Sequence, residues 1–343
     1  MESLFQKNQN GVKVCFGYLH ELVVLSNGDV TTCRLDAKGE NTLGNCHEKS
    51  LQAIWSDALL PWHQKNIQEN MRGCEWESSL CNTCFRLGVM KPFGGNISHD
   101  IEDVSIFHRR EFPFPTSLVI EPVARCNYKC WGCYAGLGQL TRTAKMLNLD
   151  KFKANILPLI PLLSQVKLYN YGEPFLHPNI VEMISLMRAG NPKLRIDIST
   201  NGMFMDKGIA DSLIDNRVNF LSISLHGGHR QEGLMKYARQ GADVQVVAKN
   251  VRYLIETKRK RNTKLPWVFL KSILFDWNDS REEMESFLSF GEDLGVDRAG
   301  WDLNASDPTH SSKRVALGTT AYDELVARKL ILRDLEHSFP VWP

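Results

Sequence analysis

Ser117-Leu118-Val119-Ile120-Glu121-Pro122-Val123 runs into Cys126-Asn127-Tyr128-Lys129-Cys130-Trp131-Gly132-Cys133, an apolar stretch followed by three thiols within eight residues. The first part has the length and β-branched content of a buried strand, and the second is short enough for its thiols to reach one metal centre from a single loop. Closed structural sites take four protein ligands, whereas three leave a coordination position open, the mark of a site that does chemistry. A zinc knot and three free thiols are the plain alternatives.

From Pro115 onward, β-rich runs alternate with helical patterns. SLVIEPV, QVKLYNY, LRIDIST, NFLSISLHG, WVFLKSILF and DRAGWDL are separated by segments such as IVEMISLMRA, KNVRYLIETKRKR and REEMESFLSFGEDLG. This rhythm predicts βαβ units and an α/β fold with a parallel sheet of six strands, open or closed into a barrel. Cys126 onward, Tyr171 to Pro174, Ser199 to Gly202 and Ser224 to Gly227 all fall at strand ends, which puts them on the C-terminal edge where such folds build active sites. Trp301, Asp302 and Asn304, at the end of the sixth strand, and Lys271, Asp276 and Trp277, on or after the fifth, are expected at the same mouth as substrate contacts. Lys258 to Arg261 reads as a solvated basic run closing a helix.

The first quarter lacks this rhythm. CFGYLHELVVLSNGDVTTCRL reads as a hairpin turning at Asn27-Gly28, and SLQAIWSDALLPWHQKNI as one amphipathic helix. Six of the nine cysteines (Cys15, Cys33, Cys46, Cys74, Cys81, Cys84) lie there, so a second cysteine site is expected. A Gly/Pro/Asn-rich stretch from Met90 to Pro115 separates the two regions. The net charge of +2, with both signs interspersed, gives no field favouring nucleic acid or an anionic membrane. The N-terminal residues have no signal-peptide pattern, and no stretch approaches the roughly 18 apolar residues of a membrane span, so a cytoplasmic address is expected. There, thiols serve metal or redox chemistry before disulfides.

The C-x3-C-x2-C loop after the first strand resembles the signature of the radical S-adenosylmethionine (SAM) superfamily, over about residues 115–305. Tyr171-Gly172-Glu173-Pro174 looks like that family's GGEP element, Ser199-Thr200-Asn201-Gly202 like its ribose-contacting strand end, and Ser224-Leu225-His226-Gly227 with the segment after it like the stretch following the fourth strand. The resemblance implies a partial (β/α)6 TIM-type barrel in which Cys126, Cys130 and Cys133 hold a [4Fe–4S] cluster whose open iron chelates SAM. One electron passed to the sulfonium then yields a 5′-deoxyadenosyl radical. Carried over residue by residue, Glu173 offers a carboxylate to the SAM ammonium, with Gly172 allowing close approach and Pro174 stiffening the turn. Ser199 and Asn201 face ribose hydroxyls, Gly132 gives a backbone contact to adenine, and Tyr128, Tyr171 and Ser224 complete the cofactor set. His226, where many relatives carry Asp, is a candidate catalytic residue facing the substrate or a strand cap.

The N-terminal pattern Cys15…Gly28…Cys33 closing on Cys81-Asn82-Thr83-Cys84 resembles a SPASM or twitch module, here ahead of the barrel instead of behind it. It implies one auxiliary [4Fe–4S] cluster on Cys15, Cys33, Cys81 and Cys84, with Cys74 as substitute and a zinc site as the alternative, while Cys46 is expected to be a buried thiol. The domain division is 1–90 auxiliary module, 91–114 linker, 115–305 core barrel and 306–343 helical extension. The expected function is hydrogen abstraction from a small polar metabolite (a sugar, aminocyclitol or nucleoside) ending in dehydrogenation, epimerisation or rearrangement, with electrons from a donor such as flavodoxin or ferredoxin. A peptide maturase acting on a ribosomal precursor and a non-catalytic iron–sulfur electron carrier are the rivals.

Overall fold

Asn27 and Gly28 turn the chain back on itself as the sequence predicts, because Gly28 takes φ +88° and its N–H closes the turn on Leu25 O at 2.9 Å. A computed structural model describes residues 5–7, 13–15, 21–59, 115–142, 145–303, 309–316 and 318–331, with backbone alone at 5–7, 13–15, 59 and 303. Its described residues fall into two compact units. One is drawn from Met1–Pro122, Thr141–Asn170 and Ala189–Leu194, the other from Val123–Leu140, Tyr171–Arg188 and Arg195–Pro343.

In the first unit β1 (Phe5–Lys7) and β2 (Lys13–Cys15) form a separate antiparallel pair, so Cys15 lies outside the hairpin that the sequence suggested for it. The hairpin itself is β3 (Glu21–Val24) with β4 (Asp29–Thr31), extended by β5 (Thr42–Asn45). On its other edge β3 pairs in parallel with β6 (Ser117–Ile120), and β6 pairs in parallel with β7 (Gln165–Leu168). The N-terminal hairpin therefore covers the free edge of the first barrel strand, with Val23, Leu25 and Val119 packed together in the core. The expected amphipathic helix begins at Leu51–Ile54 under a Ser50 cap and continues as a π turn over Trp55–Leu59; its remainder lies outside the described residues.

One charged pair is sealed inside this unit. Glu121, just past β6, accepts from Arg142 and from Ser26 N at 3.2 Å, and Arg142 also donates to Ala37 O. Both side chains are essentially inaccessible, at 0 % and 2 % exposure. Removing one member strands the other in low dielectric. Glu121→Ala should therefore lower unfolding stability by about 3–5 kcal/mol, read from the urea midpoint, whereas the double variant with Arg142→Met should recover part of the loss.

In the second unit β8 (Arg195–Thr200), β9 (Phe220–Ser224), β10 (Trp267–Leu274) and β11 (Arg298–Leu303) run parallel in that order. Ile196, Ile198, Leu221, Ile223, Val268, Leu270 and Leu274 are buried, and alternation places them on one face. The helices Lys207–Asp215, Val244–Lys260 and Arg281–Leu294 start where Asp206, Asp243 and Ser280 cap them through Ile209 N, Gln245 N and Glu283 N. The last of them stops at Gly295 in the left-handed region. The fold class is α/β with a parallel sheet, and all six strands expected of the barrel, β6 to β11, are present.

Two expectations are corrected here. Lys258 is not solvated: it is nearly buried and its Nζ meets Asp297 Oδ2 at 2.7 Å, while Arg261 bridges Asp211 and Asp215. Trp301 does not face the mouth. It is 1 % exposed and packs on Phe287 of the helix Arg281–Leu294, because its register partner Ser272 lies on the helix-covered face.

Candidate active site

The three-cysteine loop is fastened along its length by backbone and amide contacts. Lys129 N donates to Ala238 O at 2.9 Å and Asn127 Nδ2 to Gly241 O at 2.8 Å, while Tyr128 N points at Cys126 Sγ, 3.4 Å away. Asn201, just past β8, holds the same loop from the other side: its Nδ2 donates to Asn127 Oδ1 at 2.7 Å and lies 3.6 Å from Cys126 Sγ. Tyr128 is buried with its hydroxyl unpartnered, an orphan polar atom beside the thiols.

Cys133 is near enough to disfavour ionisation of Cys126 and Cys130. Burial, then Glu173, pushes the Cys126 thiol up to about 12, and burial, then Cys133 and Cys126, raises Cys130 above the ordinary thiol range. Three thiolates in such a place call for a cationic centre. Among the described residues no three His, Cys, Asp or Glu side chains are grouped closely enough to hold a single metal ion, whereas a four-iron cluster takes each thiolate on a different iron. Three cysteine thiols on one loop are a donor set that fits such a cluster.

Glu173 is the buried acid of the site, 1 % exposed. Its carboxyl accepts from Thr200 Oγ1 at 2.6 Å, Asn201 N at 2.8 Å and Phe175 N at 3.2 Å, and its own N–H is held by Arg125 O. Burial pushes it up to about 7 in spite of those donors. The preceding Gly172 makes this approach possible. It sits at φ +119°, and an added Cβ would lie 2.0 Å from Val123 O. Gly172→Ala should thus cost about 3 kcal/mol or more in unfolding stability and lower iron incorporation, since neither the backbone angle nor the neighbour can give way.

Pro174, buried, opens the short 3-10 turn Pro174–Leu176 that Glu173 caps, and Tyr171 packs edge-on to Tyr134 at 5.5 Å. Ser199 is inside β8 and faces opposite to Thr200; Ser224 ends β9 beside Lys271. Gly132 is half-buried in the loop. His226 follows β9 with its ring edge on Tyr237 at 5.5 Å, its Nδ1 buried and unpartnered, and its basicity lowered by burial and by Lys271. Trp131 spends its ring on Tyr237, Phe275, Trp277 and His310, at 5.3 to 6.4 Å. This aromatic nest walls one side of the loop, with Asp276 paired to His310 at its exposed rim.

Three residues of the site escaped the sequence reading. Thr200 stands between Ser199 and Asn201, and only strand parity decides which hydroxyl meets Glu173. Asn127 carries no sequence mark of its amide contacts with Gly241 and Asn201. Arg239, next to Cys130 and lowering its pKa, ends the helix Gln231–Ala238 with φ +63°, a strained position whose only sequence signal is Gly241 two residues on.

Of the auxiliary set, Cys33 lies in the turn after β4, its sulfur facing Leu35 N at 3.4 Å, in a loop gathered by Asp36 through Thr31, Glu40 and Asn41. The side chain of Cys15, and all of Cys74, Cys81, Cys84 and Asn304, lie outside the described residues. Cys46 is fully buried, its thiol pushed up to about 12 by burial. No described helix is long and apolar enough to cross a membrane.

Against known proteins, residues 120–288 match the radical SAM superfamily and residues 15–85 match SPASM, an iron–sulfur cluster-binding domain. A 103-residue stretch, 30 % of this chain, is 32 % identical to the Fe-coproporphyrin III synthase of Methanosarcina barkeri (strain Fusaro / DSM 804), of which it spans a quarter. Among solved structures, SuiB of Streptococcus suis bound to its precursor peptide SuiA aligns with a TM-score of 0.51 at 17 % identity, over 74 % of this chain and 61 % of SuiB. SuiB bound to S-adenosylmethionine aligns at 0.49 and 14 % identity, over 81 % of this chain and 61 % of SuiB. At 17 % identity the likeness to the peptide-bound structure is one of fold.

Proposed function

Residues 120–288 of this chain belong to the radical SAM superfamily and residues 15–85 to the SPASM iron–sulfur domain, and on that footing we propose that it is an enzyme that cleaves SAM reductively and abstracts hydrogen from a small polar metabolite. The observation that supports this best is the buried Glu173 carboxyl clamped to Asn201, whose side chain in turn ties down the loop of Cys126, Cys130 and Cys133. A SAM-binding [4Fe–4S] cluster and an auxiliary iron–sulfur cluster go with these two domains. When bound, cluster and SAM supply one-electron cleavage of a sulfonium to a hydrogen-abstracting radical.

The protein's own residues do the rest. Cys126, Cys130 and Cys133 would hold the cluster, and the loop's tether to Ala238 and Gly241 fixes their spacing. Glu173 would accept the SAM ammonium, a charge-assisted bond strengthened by its dry surroundings, and Arg239 beside Cys130 offers a cation to the carboxylate of the same ligand. Ser199 and Ser224 are left to meet hydroxyls, and the nest around Trp131 keeps water from the reacting face. Residues 1–90 act as the auxiliary module with Cys15, Cys33, Cys81 and Cys84 as ligands, and a flavodoxin or ferredoxin supplies the electron.

A pH dependence follows from Glu173. Its neutral form is favoured in the folded, ligand-free chain up to about pH 7, so a proton must leave before the ammonium can be accepted. SAM affinity should be level above about pH 7 and fall about tenfold per unit below it, as titration at several pH values would read. Without SAM the sign reverses: this group's stability contribution is full below the ordinary carboxyl pKa and is lost as pH rises through about 7.

Deuterated sugars, aminocyclitols and nucleosides, offered singly to anaerobically reconstituted protein with SAM and a strong reductant, test the substrate class. Deuterium in 5′-deoxyadenosine from one of them is the expected result. Transfer from a precursor peptide instead would replace the metabolite by a maturase substrate, and intact SAM over a loaded cluster would leave an electron carrier.

A further inference from the structure

Residues paired across parallel strands point the same way, and in β8 to β11 the face that begins with the aromatic cluster of Phe220, Trp267 and Phe269 turns more polar toward the strand ends. Ser199 is paired with Ser222, Ser224 with Lys271, and Lys271 with Gly300, so the ammonium of Lys271 has hydroxyls on one flank and a glycine on the other. Lys271 is half-buried, and among the described residues its ammonium forms no ion pair or hydrogen bond. The acid on this face, Asp302, stands one pair further along, opposite Ile273, and is not its ion-pair partner; Asp276, past the end of β10, is paired with His310.

Two polar atoms also lack partners, one of them on Ser222, one same-face pair before Lys271. Ser222 Oγ is buried without a partner, in a residue 2 % exposed, and so is His226 Nδ1. Leu225 N donates to Lys271 O at 2.8 Å, which brings His226 to the lysine, and the lysine's charge depresses the imidazole's basicity. A shielded cation and two orphaned polar atoms are costly together, and a ligand carrying negative charge and acceptor oxygens would relieve all three. Arg239 already serves the cysteine loop, so this second cation is left for a second anion.

We propose that Lys271, with Ser224 and His226 beside it, is an anion seat for the substrate, which carries a carboxylate or a phosphate monoester. This rests on the reading of a small polar substrate and narrows it to an anionic metabolite.

Thermal melts of the reconstituted holoenzyme without SAM test it, with inorganic phosphate or acetate as probe and chloride at equal ionic strength as reference. At about ten times its Kd, an effective anion should raise the midpoint by roughly 2 °C. A rise with phosphate alone assigns the seat to a phosphate monoester, and a rise with acetate assigns it to a carboxylate. Either rise should vanish in Lys271→Met, or in Lys271→Gln should the first variant not fold, and the phosphate rise should persist in Lys271→Arg. No rise with either anion, or a rise that survives loss of the ammonium, overturns the proposal. Iron content and SAM titration on the same preparation separate the two levels. A chain that takes up no cluster sinks the radical reading, and a loaded, SAM-binding chain indifferent to both anions sinks the anion seat alone.

Discussion

Cys130→Ala should bring 5′-deoxyadenosine formation by the reconstituted protein down to the background of reductant alone. Each of the three thiolates would occupy a different iron, and no other described thiol comes from this loop to replace the one removed. The fold should survive. Cys130 is only half-buried, and its loop is fixed by Lys129 N on Ala238 O and Asn127 on Gly241 O, contacts that do not involve the sulfur. Cys46→Ala is the matched control: it removes a fully buried thiol from the other unit, at a cost of about 1 kcal/mol of packing, and should leave product formation where it was. Iron per chain, far-UV circular dichroism and product yield measured side by side separate loss of chemistry from loss of structure.

Glu173→Gln should weaken SAM binding by roughly 10- to 150-fold, the equivalent of about 1.5–3 kcal/mol for a buried charge-assisted bond. The upper end is expected. Gln keeps the shape, but its amide has one acceptor oxygen where the carboxyl now receives Thr200, Asn201 and Phe175, so an N–H is turned toward a donor. The variant should also lose the fall in affinity below about pH 7, because the group that titrates there is gone. A Gln variant that keeps the pH profile would move the titration to another residue.

What the sequence made legible was local. Three cysteines in eight residues, a Gly-Glu-Pro turn and strand-length apolar runs each declare themselves within a short window, and the six strands and the Asn27-Gly28 turn follow from such windows. What it hid depends on parity or on distant partners. Ser199 and Thr200 are neighbours on opposite faces, so the hydroxyl that holds Glu173 could not be told from the one that does not. Trp301 is one residue from Asp302 and for the same reason is core. Lys258 looked like the start of a solvated basic run because Asp297, 39 residues on, is invisible to a local pattern. The parallel pairing of β3 with β6 joins residues nearly a hundred positions apart, and no periodicity carries it.

The central claim is best tested by the electron paramagnetic resonance spectrum of the reduced, oxygen-protected holoenzyme, recorded before and after SAM labelled with nitrogen-15 in its amino group. A change in the cluster's signal, with coupling to the labelled nitrogen, is the result expected from an iron that protein ligands leave open. An identical spectrum without such coupling, in protein carrying a full complement of iron, would contradict it.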